Sequence, residues 1–205
     1  MSAPMERRVA IDPLCLVFER VQEDVFEPEF VADGPLIRFE AYADDHRLFG
    51  WVRLRADRLT DLLNGLDRLR LVNAEVESLL DGKTRTVDDI VVQRRQLIAV
   101  HAAGPRGSEV HRQRTRPHAV AMQARNYLIG GYVHVASGMD PLASVRNRPP
   151  MVPLTDAWIE YWSGGQRRRQ WVGTIVMNRE QADWIRLVSA DDLAYGRMRP
   201  TPSST

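Results

Sequence analysis

Residues from Leu36 onward alternate with a period of two: Ile37, Phe39 and Ala41 interleave with Leu36, Arg38 and Glu40. That is the pattern of a strand with one buried face, and Ile37 and Phe39 are its inward positions. After the polar turn ADDHR comes a second apolar strand, LFGWVRL, whose Gly50 has no side chain to pack and so marks a bulge or a sharp bend. Leu59, Leu62, Leu63 and Leu66 then recur at helical spacing. Asp57 is placed to cap this helix, and Asn64 with Gly65 to close it in a left-handed conformation. Three further strands are expected, near residues 70–79, 86–93 and 97–102.

The same grammar returns downstream. Gly50 to Leu54 aligns with Gly131 to Val135 at an offset of 81 (131 minus 50), and LVNAEVE from Leu71 aligns with LTDAWIE from Leu154 at 83 (154 minus 71). AVAMQA from Ala119 matches the first strand. Asp140 and Pro141 form the start of a shorter helix with Leu142 and Val145 inward. Strands near 152–162, 168–178 and 182–188 complete the second copy. Self-similarity at a long period identifies a compact unit written twice.

Short strands joined by tight turns favour antiparallel pairing. The expected fold is α+β and mainly β: two tandem ββαβββ units, each a small barrel or strongly curved antiparallel sheet with one short helix. The divisions are an acidic arm over residues 1–35, a first unit over 36–103, a basic connector over 104–117, a second unit over 118–189 and a flexible tail over 190–205. The glycine–aromatic–valine strand, the RLTDLLN helix and the VNAEVE and TDAWIE strands resemble an uncharacterised family of small bacterial domains that looks Sm-like. The resemblance spans most of residues 36–189. It implies a fold and carries no activity.

Composition narrows the setting. With 28 basic and 27 acidic residues among 205, the chain is neither a basic nucleic-acid coat nor an acidic tail protein. Charge is nevertheless uneven: residues 1–35 hold eight acids against three arginines, whereas residues 94–125 hold seven arginines against Glu109 alone. The single cysteine, Cys15, cannot form an internal disulfide, and no apolar run approaches the length of a membrane span. A cytoplasmic protein without a membrane span is expected.

Chemistry is sparse in this sequence. No phosphate-loop, dinucleotide, nucleophile-elbow or zinc-protease string is present, and His101, His111 and His118 lack the companion ligands of a metal shell. Neither a catalytic residue nor a cofactor is assigned, and the protein is expected not to be an enzyme. The leading expectation is a structural or protein-interaction module that self-associates or scaffolds a partner, with Trp158 and Trp162, of one parity on one strand, as its interface. The alternative is a nucleic-acid-binding, specifically RNA-binding, regulator. Its contacts would be Arg94, Arg95, Arg112, Arg114 and Arg116 of the connector region and Arg167, Arg168 and Arg169 of the second unit's hairpin, because guanidinium forks suit phosphate oxygens.

Overall fold

A computed structural model describes residues 34–104 and 114–195. Cys15, Arg112, nearly all of the acidic arm, most of the connector and the chain beyond Tyr195 lie outside the described residues. The described residues form ten strands: β1 (Leu36–Tyr42), β2 (His46–Arg53), β3 (Arg68–Ser78), β4 (Thr84–Gln93), β5 (Ala99–His101), β6 (Thr115–Ala124), β7 (Tyr127–Ala136), β8 (Met151–Ser163), β9 (Gln166–Asn178) and β10 (Trp184–Leu187). The described residues also form three short helices: α1 (Leu59–Gly65) between β2 and β3, α2 (Pro141–Asn147) between β7 and β8, and α3 (Ala190–Tyr195) after β10.

All ten strands belong to one sheet, in the order β10-β6-β7-β8-β9-β5-β1-β2-β3-β4, with every pairing antiparallel. This corrects the expectation of two ββαβββ units, each closed or curved on itself with one helix: the sheet is continuous and open, and a third helix follows the last strand. The reason lies at β5. Ala99 and Val100 pair with Tyr42 and Ala41 of β1 on one side, and all three of its residues pair with β9 on the other, Ala99 opposite Met177, Val100 opposite Val176 and His101 opposite Ile175. An edge that a separate barrel would close on itself is therefore occupied by the other half of the chain. Within the sheet, the order β5-β1-β2-β3-β4 of the first half recurs as β10-β6-β7-β8-β9 in the second.

The apolar periods build two cores. Ile37, Phe39, Leu48, Leu71, Ile90 and Val92 pack with Leu59, Leu62 and Leu63 of α1 in the first. Val120, Met122, Ile129, Val133, Leu154, Ile159 and Met177 pack with Val145 of α2 in the second. At the seam between β5 and β9, successive residues alternate between the two clusters: Val100 and Val176 enter the first, Ala99, Ile175 and Met177 the second. Both faces of the sheet are thus buried there, which accounts for the unbroken apolar runs at LIAV and TIVM.

Local signals fare unevenly. Asp140 caps α2 through Leu142 N and Ala143 N, and Pro141 takes the first helical position. Asp57 does not cap α1; Arg58 stands there without a side-chain cap bond, and Leu66 ends the helix in an extended conformation. The strand glycines do mark bulges, but the extra residue is on the neighbouring strand. Register shifts fall between Phe49 and Trp51 and between Gly130 and Tyr132. Opposite them, Asn73 (φ 49°) and Asp156 (φ 45°) adopt left-handed backbone, which asparagine and aspartate tolerate best among residues with a side chain. A Cβ on Gly131 would sit 2.9 Å from Leu154 Cβ and 3.0 Å from Ala157 Cβ, so only glycine admits the bulged strand at that distance.

Candidate functional site

Where the two halves meet, a polar and aromatic cluster sits beside the second core. β1 supplies Glu40 and Tyr42, which share a face because they are two residues apart; β2 supplies Arg47, directly opposite Tyr42; β3 supplies Glu77, directly opposite Arg47. The Arg47 guanidinium donates to Glu40 Oε1 at 2.8 Å and to Glu77 Oε2 at 2.9 Å. Its carbon lies 4.7 Å from the Phe49 ring centre, 5.4 Å from Tyr42 and 5.3 Å from Tyr161. One cation is therefore matched by two carboxylates and three ring faces.

His101 extends the cluster from β5. Its Nδ1 is 3.2 Å from Glu40 Oε2 and its Nε2 is 3.1 Å from the Tyr42 hydroxyl, which also donates to Gln170 Oε1 on β9 at 3.2 Å. Ser163 Oγ donates to Glu77 Oε1 at 3.2 Å, and the Tyr127 hydroxyl to the Ala43 carbonyl. Tyr42, Tyr127 and Tyr161 pack ring against ring, with centroids 5.2 to 6.1 Å apart.

Burial pushes the Glu40 carboxyl upward, but the hydrogen bonds and charges of His101 and Arg47 outweigh it and hold the pKa at about 2. The Tyr42 and Tyr127 hydroxyls are driven the other way, well above the ordinary phenol range, chiefly by burial. At neutral pH the cluster thus holds ionised Glu40 among neutral phenols that can donate protons to hydrogen bonds but do not serve as bases. Each carboxylate is engaged within the chain, and the cluster ties β1, β2 and β3 of the first half to Ser163 of β8 and Gln170 of β9 in the second.

The seam is reinforced on both sides of the cluster. Asn64 makes a paired contact with the Met151 backbone, its Nδ2 donating to the carbonyl at 3.0 Å and its Oδ1 accepting from the amide at 3.0 Å. Asn178 Nδ2 donates to the Leu97 carbonyl at 2.9 Å, and Gln181 Nε2 to the Arg95 carbonyl at 2.7 Å. Gly164 N donates to the Leu79 carbonyl at 2.9 Å, which stacks the β8–β9 turn on the end of β3.

The residues singled out from sequence divide into two groups. Trp158 and Trp162 do share a face, opposite Trp171 and Arg167 on β9, with Glu160 opposite Arg169 between them. Trp158 is buried: its ring packs on Gly130 and Leu193, its Nε1 donates to the Leu193 carbonyl, and Arg169 lies 4.5 Å from the ring centre. Trp162 and Trp171 remain exposed at 57% each.

The described arginines do not converge. Arg94 pairs with Asp67 at 2.8 Å, and Arg95 donates to Gln93 at 2.7 Å. Arg114 and Arg116 are exposed at the start of β6, at the same end of the strands but with β7, β8 and β9 between. Arg167 and Arg169 both pair with Glu160, and Arg168 projects from the other face, opposite Tyr161. This triplet begins β9 and Asn178 ends it beside Leu97, so roughly 30 Å separates the two arginine groups at the rise of a strand.

Sequence reasoning missed the seam cluster. It weighed His101 only as a metal ligand and gave Glu40 and Arg47 no role. The parity of Glu40 with Tyr42 and their hairpin partnership with Arg47 are local and legible; the contributions of His101, Tyr161 and Gln170 arise only from the β5–β9 pairing. No protein-family model, curated protein or solved structure matches this chain. Among the described residues, no helix is long and apolar enough to cross a membrane.

Proposed function

We propose that this protein is a non-enzymatic interaction module that self-associates or scaffolds a protein partner through the edges of its sheet, in a reducing, cytoplasmic setting suited to its one cysteine. The observation that carries this reading is the open sheet itself. Ten strands end on two edges, β4 and β10, whose outer backbone groups pair with no strand among the described residues. Unpaired edges are templates for strand addition. Exposed Leu187 (45%) on β10 and Val87 (37%) on β4 add apolar area beside them.

The recurrence of the strand order, the left-handed bulge residues Asn73 and Asp156 and the two 3-10 turns at Arg94–Gln96 and Arg179–Gln181 support reading the chain as an ancestral duplication. An RNA-binding role draws no comparable support, because the described arginines separate into distant groups and several are bound by neighbouring side chains. Light scattering and native mass spectrometry over a wide concentration range test the proposal. Concentration-dependent oligomers or a stoichiometric protein partner are expected; a strict monomer that retains nucleic acid at low salt would replace this reading with the other.

A further inference from the structure

The seam inside the chain is a worked example of how one half-sheet joins another. We infer that β10 of one molecule pairs with β4 of a second copy in the register that joins β5 to β9 within the chain. This rests on the self-association reading and names its partner, its edge and its register.

Equivalent positions come from the pairings themselves. β5 meets β1 with Val100 opposite Ala41, and β10 meets β6 with Ile185 opposite Met122; Val100 and Ile185 therefore hold the same place in their halves. β3 meets β4 with Leu69 opposite Val92, and β8 meets β9 with Val152 opposite Met177, so Val92 corresponds to Met177 and Val91 to Val176. The seam sets Val100 opposite Val176. Its copy between molecules sets Ile185 opposite Val91, with Trp184 opposite Val92 and Arg186 opposite Ile90.

The backbone donors point the right way. At the seam, Asn178 N donates to the Ile98 carbonyl at 2.8 Å and Ala102 N to the Thr174 carbonyl at 3.0 Å. Of the corresponding groups at the ends, Leu187 N faces the Asp89 carbonyl, whereas Gln93 N donates within its own chain to Gln96 Oε1 at 3.3 Å and exchanges that bond for the Asp183 carbonyl. Val188 N is spent on Ala119 within the sheet, as the alternation of an antiparallel strand requires, which leaves Ile185 and Leu187 directed outward.

A second observation points to the same contact. Leu79 is buried (8%) where the β8–β9 turn stacks on it, and Trp162, which holds the matching place at the end of β8, is exposed (57%). The matching turn that would cover Trp162 is the β3–β4 turn of the next copy, whose Leu80 is the most exposed large apolar side chain described, at 86%. Both exposures are explained by one neighbour. The contact joins unlike surfaces, so it is heterologous and leads to a ring or an open filament rather than a twofold dimer.

Disulfide trapping tests the register. In a Cys15→Ser background, the double variant Val91→Cys with Ile185→Cys is oxidised at a concentration where the protein associates. Directly opposed hydrogen-bonded residues have Cα atoms about 5.5 Å apart, within disulfide reach. A ladder of covalent multimers is expected from the double variant and none from either single variant. Val87→Cys with Ile185→Cys, displaced along β4 by about 13 Å, should give none. Val91→Pro and Trp162→Ser should each raise the concentration needed for association at least about tenfold while the melting of the monomer stays intact. Oligomers that persist in Val91→Pro and give no ladder would overturn the inference while leaving self-association standing. A dimer trapped by Val91→Cys alone, or an internally linked monomer, would also overturn it. A wild-type chain that is monomeric throughout would overturn both.

Discussion

The seam and the free edges are made of corresponding strands, yet they differ in what lies on their faces. At the seam, Ile98, Ala99 and Val100 meet Ile175, Val176 and Met177, all at most 1% exposed, with one core on each side. At the ends, β4 is exposed from Thr84 to Asp88, and every residue of β10 keeps some solvent contact. The cement differs as well. Tyr42 of the seam corresponds to Gln123 on β6, and His101 to Arg186 on β10, so no copy of the carboxylate–guanidinium–phenol cluster stands at the outer edge. Of the two places, strand pairing is seen only at the seam, and the residues that cement it stand only at that inner junction. A contact built on the outer edges alone is therefore expected to be reversible where the seam is not.

Removing the cement at its centre should have the largest effect. Arg47→Met leaves Glu40 and Glu77 facing each other in a site with little solvent, and a loss of about 3–5 kcal/mol is expected in denaturant unfolding. The same substitution made at corresponding places then sharpens the comparison. Val176→Pro removes a seam donor between two cores and should cost at least about 3 kcal/mol. Val91→Pro, on the free edge, should leave monomer stability within about 1 kcal/mol. Equal losses at the two positions would mean that the free edge is already engaged within the monomer.

Acid should open the seam before the rest of the sheet. Glu40 has a folded pKa of about 2 against an ordinary value of 4.5, so its stabilising contribution is complete above about pH 4.5 and is lost as the pH falls toward 2. The full difference corresponds to about 3 kcal/mol. Stability measured from pH 6 down to pH 2 should fall across that window, and Glu40→Gln should flatten this part of the curve. Smaller effects are expected at the glycines. Gly131→Ala, pressed between Leu154 and Ala157, should cost about 1–3 kcal/mol. Gly173→Ala, whose added Cβ meets nothing within 4 Å, should instead stabilise by about 0.5 kcal/mol in thermal melts.

How far these features could be read in advance follows the range of the interaction behind each. The inward set of β1, the cap at Asp140 and the shared parity of Trp158 and Trp162 depend on neighbours a few residues apart, and each was legible. Asp57 misled because a capping residue is judged from type and place, whereas the turn geometry put Arg58 at the helix start. The glycines at Gly50 and Gly131 signalled bulges, but the inserted residues, Asn73 and Asp156, sit on the partner strand, where no pattern in the strand's own alternation exposed them.

Within this chain, alternation marked where strands form and which faces they bury, in two sets along the sequence, β1–β5 and β6–β10, since a period of two and a helical turn are properties of contiguous backbone. Whether those sets close separately or merge was decided only in three dimensions. The short β5 could be completed by its own half or by β9, and the choice rests on burying Val100 and Val176 in one core and Ala99 and Met177 in the other, together with a buried charge cluster whose members are up to 130 residues apart, from Glu40 to Gln170. Apolar matching on two faces at once is a property of the assembled sheet, and no single strand carries it.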